Sequence, residues 1–136
     1  MTYRFTARAA GAEIDPDGYF TEAGLAERED GSGFVLLFMA GEEDPDDQEV
    51  ALGIDTHCLV TAGQGTAYGC VREAVLEGNV FRVSLDPEAL ESLGLDDSEV
   101  EAVIEAPTED VARFREVLAQ VLAYGRADAL PTRVVV

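Results

Sequence analysis

The hydrophobic pattern changes character once along the chain, from a two-residue period in the first half to a helical period near the end. Tyr3 to Ala9 sets Tyr3, Phe5 and Ala7 against Arg4, Thr6 and Arg8, the alternation of a half-buried strand. Asp15-Pro16-Asp17-Gly18 is turn chemistry, since Pro fixes one dihedral and Gly opens the left-handed region. Tyr19 to Glu27 predicts a weaker strand, with Gly24 inside it marking a bulge. Glu29 to Gly33 makes a second turn, and Phe34 to Met39 follows. That run is apolar on both faces, as expected of a central strand. Another strand is expected within Val50 to Val60, ended by Gly63-Gln64-Gly65. Ala67 to Leu76 and Val80 to Leu85 read as the arms of a hairpin about Glu77-Gly78-Asn79. In its second arm Phe81, Val83 and Leu85 face one way, and Arg82 and Ser84 the other.

The last third changes period. Asp86 is a good N-cap, Pro87 suits a first helical position and Gly94 suits a C-terminal stop, which predicts a short helix over Pro87 to Leu93. Val100 to Ala106 is a further strand. Thr108 is then expected to cap the longest helix, in which Val111, Phe114, Leu118, Val121 and Leu122 recur at helical spacing and Val117 widens the stripe. Glu109 and Asp110 complement the positive end of its dipole, and Glu109 stands one turn before Arg113. Gly125 is placed to end it. Thr132 to Val136 is suited either to an edge strand or to a frayed terminus. Together these elements predict an α+β fold in one domain over residues 1–136. Its core is a largely antiparallel sheet of about six or seven strands, packed with a short helix and one long C-terminal amphipathic helix.

Composition adds a charge argument. Twenty-eight acidic residues stand against nine basic ones, every one of them Arg, for a net charge of −19. Such a surplus repels nucleic-acid phosphates and anionic lipid surfaces and favours fast association with a basic partner. Nearly half the residues are apolar (47%), so the charge does not imply disorder. No apolar run nears the ~20 residues of a membrane span. The first residues lack a basic region followed by a long apolar stretch, so a soluble, cytoplasmic protein is expected. Two cysteines, Cys58 and Cys70, make no disulfide framework, and one histidine with no CxxC leaves zinc without ligands. No metal or cofactor is expected.

The densest charge lies in Gly41 to Glu49. Glu42, Glu43, Asp44, Asp46, Asp47 and Glu49 put six carboxylates into nine residues around Pro45. Repulsion and the proline predict an exposed loop, held at its base by the apolar strand before it. This is the partner-binding candidate. Neither its spacing nor its flanks fit an EF-hand, which needs a central Gly and a terminal Glu between helices. Because nothing in the run is apolar, a buried anchor has to come from elsewhere, and Tyr68 and Tyr19 are the aromatic candidates.

Two other constellations carry weaker chemistry. His57 and Cys58 are neighbours on a strand and point to opposite faces, so they cannot cooperate directly. If the chain reverses about Gln64, His57 and Cys70 lie nearly opposite each other, but no third, orienting group is identifiable. Small buried thiols and a satisfied histidine are the simpler account. Gly63-Gln64-Gly65-Thr66 with Gly69 matches neither GxxxxGK[ST] nor GxGxxG and reads as a tight turn. An enzyme or ligand-binding domain built on His57, Cys58 and Cys70, or an acidic nucleic-acid mimic, remain the alternative readings.

Four segments then carry a family likeness: Gly18-Tyr19-Phe20, the hairpin arm Phe81-Arg82-Val83-Ser84-Leu85, Leu90-Glu91-Ser92-Leu93-Gly94-Leu95, and Phe114-Arg115-Glu116-Val117-Leu118. The chain resembles the immunity protein 10 family, small bacterial proteins encoded beside polymorphic toxins, over most of its length. The resemblance implies binding and neutralising a cognate protein toxin, with no catalytic residue to carry over. An acidic inhibitor suits a toxin with a basic surface.

Overall fold

The structure, a computed structural model, describes residues 2–14, 21–40, 56–62, 65–124 and 130–136. Among these residues the chain forms two five-stranded sheets, two helices and one 3-10 turn. Sheet I has the order β1 (Thr2–Ala7), β9 (Glu99–Ile104), β8 (Val80–Leu85), β7 (Val71–Glu77) and β10 (Arg133–Val135). Sheet II follows chain order, with β2 (Ala9–Ile14), β3 (Thr21–Ala26), β4 (Val35–Ala40), β5 (Cys58–Thr61) and β6 (Thr66–Tyr68). The 3-10 turn Pro87–Ala89 leads into α1 (Leu90–Leu93), and α2 (Thr108–Leu122) is the long helix. Pairing is antiparallel except where β1 joins β9 and β10 joins β7.

The α+β class follows the pattern, but the described residues hold ten strands where periodicity separates six or seven. The alternating run from Tyr3 is two strands, because the chain leaves sheet I at Arg8 and enters sheet II, its Arg8 N–H donating to the Ala26 carbonyl at 2.9 Å. Ala67 to Leu76 likewise divides at Gly69 and Cys70, where the chain crosses back to sheet I. Both sheets feed one core, so the hydrophobic alternation gives no sign of either crossing.

That core is joined by three aromatic rings from three layers. Phe81 of sheet I packs edge-to-face on Phe38 of sheet II, with centroids 5.9 Å apart, and on Phe114 of α2 at 5.6 Å. Helix α2 buries Phe114, Val117, Leu118, Val121 and Leu122 and lies against β2, β3 and β4. Each ring removes on the order of 150–250 Å² from water, so this trio outweighs any surface contact in the molecule. Asp86 starts the short helix as expected, accepting from the Glu88 N–H at 3.0 Å, and also takes Arg72 Nη2 at 2.6 Å. Gly94 ends it with φ of 69°. Gly65 is required by a close approach: a Cβ there would stand 2.7 Å from the Leu93 carbonyl oxygen, which Thr61 Oγ1 bonds at 2.6 Å.

Three local expectations are corrected. Gly24 is no bulge; it pairs in continuous register with Gly11 on one side and Leu37 on the other. The irregularity falls instead between Val71 and Glu73, where Arg72 is the extra residue on β7. Its carbonyl is thereby free to accept from Thr132 N–H at 2.8 Å and seat the C-terminal strand. Thr108 is the first helical residue of α2 and Pro107 occupies the N-cap, with no side-chain capping bond. Arg113 reaches not along its own helix but across to the Ala12 carbonyl at 3.0 Å, on the edge strand β2.

Candidate partner-binding face

Successive side chains on a strand face opposite ways, so each sheet here has a core face and an outer face. The two outer faces differ in chemistry. On sheet I the register sets Arg4, Glu101 and Arg82 side by side on β1, β9 and β8. Arg4 Nε lies 2.7 Å from one Glu101 oxygen and Arg82 Nε 2.8 Å from the other. These bonds, that from Arg82 first, hold the Glu101 carboxyl below the usual range. The next row runs Thr2, Glu99, Ser84, Glu73 and Arg133. Charges and hydroxyls dominate the β1, β9 and β8 part of this face, while the first row continues into Val75 and the exposed Val135 on β7 and β10, and a groove of about 340 Å³ lies here too.

Sheet II presents something else. One outer row reads Glu13, Glu22, Met39, Cys58, Tyr68, and the next reads Gly11, Gly24, Leu37, Val60, Thr66. A third begins Ala9, Ala26, Val35. Apart from the two glutamates at one corner and Thr66 at the β6 edge, every residue is apolar or lacks a side chain, apart from the Tyr68 hydroxyl. Cys58 and Ala26 are buried yet stand outside the central cluster of core residues, as their outward placement requires. Where Gly11 meets Gly24 the face sinks into a groove of about 340 Å³, overlooked by Val35 and Leu37. A Cβ on Gly24 would touch Leu37 Cδ1 at 3.1 Å, whereas one on Gly11 would meet nothing within 4 Å. At the far side Tyr68 is 48% exposed, the most exposed large apolar side chain among the described residues.

Glu13 and Glu22 are direct cross-strand partners. Like charges placed so are mutually destabilising. Partial burial, and then the Glu13 charge, push the Glu22 carboxyl upward.

The acidic run Glu42, Glu43, Asp44, Asp46, Asp47 and Glu49, and Tyr19 with it, lie outside the described residues. The thiol neighbourhood is described in full. Cys58 pairs with Tyr68, so His57 falls opposite Gly69, one residue short of Cys70, and its carbonyl accepts from Gly69 N–H at 2.8 Å. The His57 ring is completely buried, and its Nε2 accepts from the Val71 N–H at 3.1 Å. That bond fixes the neutral tautomer with the proton on Nδ1, which lies 3.4 Å from Thr56 Oγ1. Burial first, and the Arg72 charge second, lower its pKa from 6.5 to about 4. Both thiols are buried and unbridged. Burial pushes Cys70 up to about 12 and raises Cys58 as well. A nucleophilic thiol needs the opposite shift. His57 is therefore a pin, holding the start of β7 against the end of sheet II where the chain changes sheets.

Sequence reasoning missed the outer face of sheet II. The signal was in Val35, Leu37 and Met39, which made Phe34 to Met39 apolar on both sides. It also lay in Gly11 and Gly24, which look like punctuation until the pairing of β2 with β3 brings them together.

Among the described residues no group of three or more His, Cys, Asp or Glu side chains is placed to hold a metal ion, and no helix is long and apolar enough to cross a membrane. No curated protein and no solved structure matches this chain. The family described as Immunity protein 10 matches it over residues 6–112, from β1 into the first turns of α2. The chain belongs to the immunity protein 10 family.

Proposed function

We propose that this protein binds and neutralises a cognate bacterial toxin as a stoichiometric inhibitor, without turnover, in the cytoplasm of the cell that makes the toxin. The observation that carries the reading is the family match over residues 6–112. Two physical features support it. A net charge of −19 steers the protein toward a basic surface, such as a toxin's cationic cleft. The thiol and histidine chemistry that an enzyme would use is turned to packing, with His57 held neutral and Cys70 held protonated. In this reading the acidic segment, Glu42, Glu43, Asp44, Asp46, Asp47 and Glu49, captures the partner at long range, and an apolar surface elsewhere holds it.

The direct test is co-expression with a candidate toxin domain taken from the genes that flank this one. Growth restored by this protein, together with co-elution of the two at a fixed molar ratio, is the expected outcome. A toxin that kills equally well in its presence and elutes alone contradicts the reading.

A further inference from the structure

We propose that the outer face of sheet II, from the Gly11–Gly24 groove across Leu37 to Tyr68, is the surface that anchors the toxin, through a cationic, partly apolar segment of that partner. The inference rests on the toxin-binding reading and says where on this chain the binding happens. The contrast between the two sheets carries it. Sheet I carries a paired Arg4–Glu101–Arg82 set and further charges on its outer face, with apolar Val75 and Val135 only toward the β10 edge, whereas sheet II has a connected apolar face whose two carboxylates sit together at one corner. Five strands about 4.8 Å apart and three rows about 6.8 Å apart give this face on the order of 300 Å². Val35, Leu37, Met39 and Val60 are partly exposed on it, and its extent is that of the largest apolar patch on an ordinary soluble monomer, which is often functional. A stable complex buries about 800 Å² on each partner, so the face is an anchor within a larger footprint.

The chemistry of the occupant follows from what the face lacks. Glu13 and Glu22 repel each other across β2 and β3, and an arginine or lysine side chain set between them turns that repulsion into attraction. Partial burial of Glu22 strengthens the demand for a cation. The neighbouring row is the groove, so an apolar side chain beside that cation fits over Gly11 and Gly24. A second copy of this chain is the wrong occupant, since each would bring a further charge of −19. Tyr68 at the opposite side supplies the half-exposed ring that interfaces use as a hot spot.

Gly11 allows a direct test, because a Cβ added there meets nothing within 4 Å and a larger side chain would extend into the groove itself. The purified candidate toxin domain from the flanking genes is titrated with wild-type protein, Gly11→Tyr, the double variant Glu13→Gln/Glu22→Gln, and Ser84→Tyr on the outer face of sheet I. Gly11→Tyr is expected to bind about tenfold or more weaker with an unchanged melting temperature. The double Gln variant is expected to bind more weakly at low salt, and Ser84→Tyr to bind as wild type. Tyr68→Ala replaces the glycine variant if that one does not fold, with the same loss expected. Wild-type affinity in folded Gly11→Tyr or Tyr68→Ala overturns this assignment and leaves the toxin-binding reading intact. Equal weakening in Ser84→Tyr also overturns it. Failure of the wild-type protein itself to bind the toxin removes both.

Discussion

Acidification should cost this protein stability through a single ring. His57 is neutral in the fold with its pKa lowered to about 4, against 6.5 when unperturbed. Between those values the unfolded chain binds a proton that the folded chain refuses, so stability is present above pH 6.5 and is lost as pH falls toward 4. At about 1.36 kcal/mol per unit, the full effect is about 3 kcal/mol. Between about pH 7.5 and about pH 5 the loss is about 2 kcal/mol. Repulsion within a chain of net charge −19 also relaxes as acid is added, so the His57 contribution has to be isolated by difference. His57→Gln does this, offering an amide oxygen to the Val71 N–H without a proton to gain. Urea unfolding of both proteins at the two pH values gives the comparison. At neutral pH the variant should be less stable, by about 1–3 kcal/mol for a poorly satisfied buried donor. On acidification it should lose about 2 kcal/mol less than wild type, so that the two converge. Parallel pH dependences in the two proteins would refute a buried, neutral, acceptor-bound His57.

Four further outcomes follow from the same geometry. Phe81→Ala removes the ring shared by Phe38 and Phe114 and should cost about 3–5 kcal/mol in chemical denaturation, with loss of cooperativity if the two sheets then open separately. Gly65→Ala drives a methyl into the Leu93 carbonyl and should cost about 1–3 kcal/mol, read as a lowered melting temperature. Cys58 and Cys70 should resist a thiol-reactive dye in the native protein at neutral pH and react at once in urea, while Cys58→Ser/Cys70→Ser should still protect against the toxin. Neutralising Glu42, Glu43, Asp44, Asp46, Asp47 and Glu49 to Gln and Asn should slow association with the toxin and flatten its salt dependence, changing dissociation less; an unchanged low-salt association rate in stopped flow reduces the run to a solubility device.

What the sequence made legible was whatever depends on neighbours in sequence. The helical stripe from Val111 to Leu122, the Asp86 cap, the Gly94 stop and the central strand through Leu36 and Phe38 are local patterns, and the fold keeps them. What escaped depends on pairing. Nothing near His57 announces that its ring will accept a backbone N–H fourteen residues away, since Val71 looks the same whichever acceptor it meets. The bulge went to Gly24 because glycine is the usual marker, yet Arg72 bulges to reach Asp86 and to hand its carbonyl to Thr132. The sheet II face was hidden for a third reason. A strand apolar on both sides reads as covered on both sides, and only the register shows that Leu37 stands beside Gly24, with Gly11 next in the row.

The proposed role is that of an inhibitor consumed one complex at a time, and a titration of toxin activity tests it. A fixed amount of the toxin domain from the flanking genes, held well above the dissociation constant, receives increasing amounts of this protein, and residual activity is read after equilibration. Activity falling linearly to zero at a fixed molar ratio, independent of incubation time, is the predicted result. Complete inactivation by a small fraction of an equivalent, deepening with time, would mean turnover and would contradict the account.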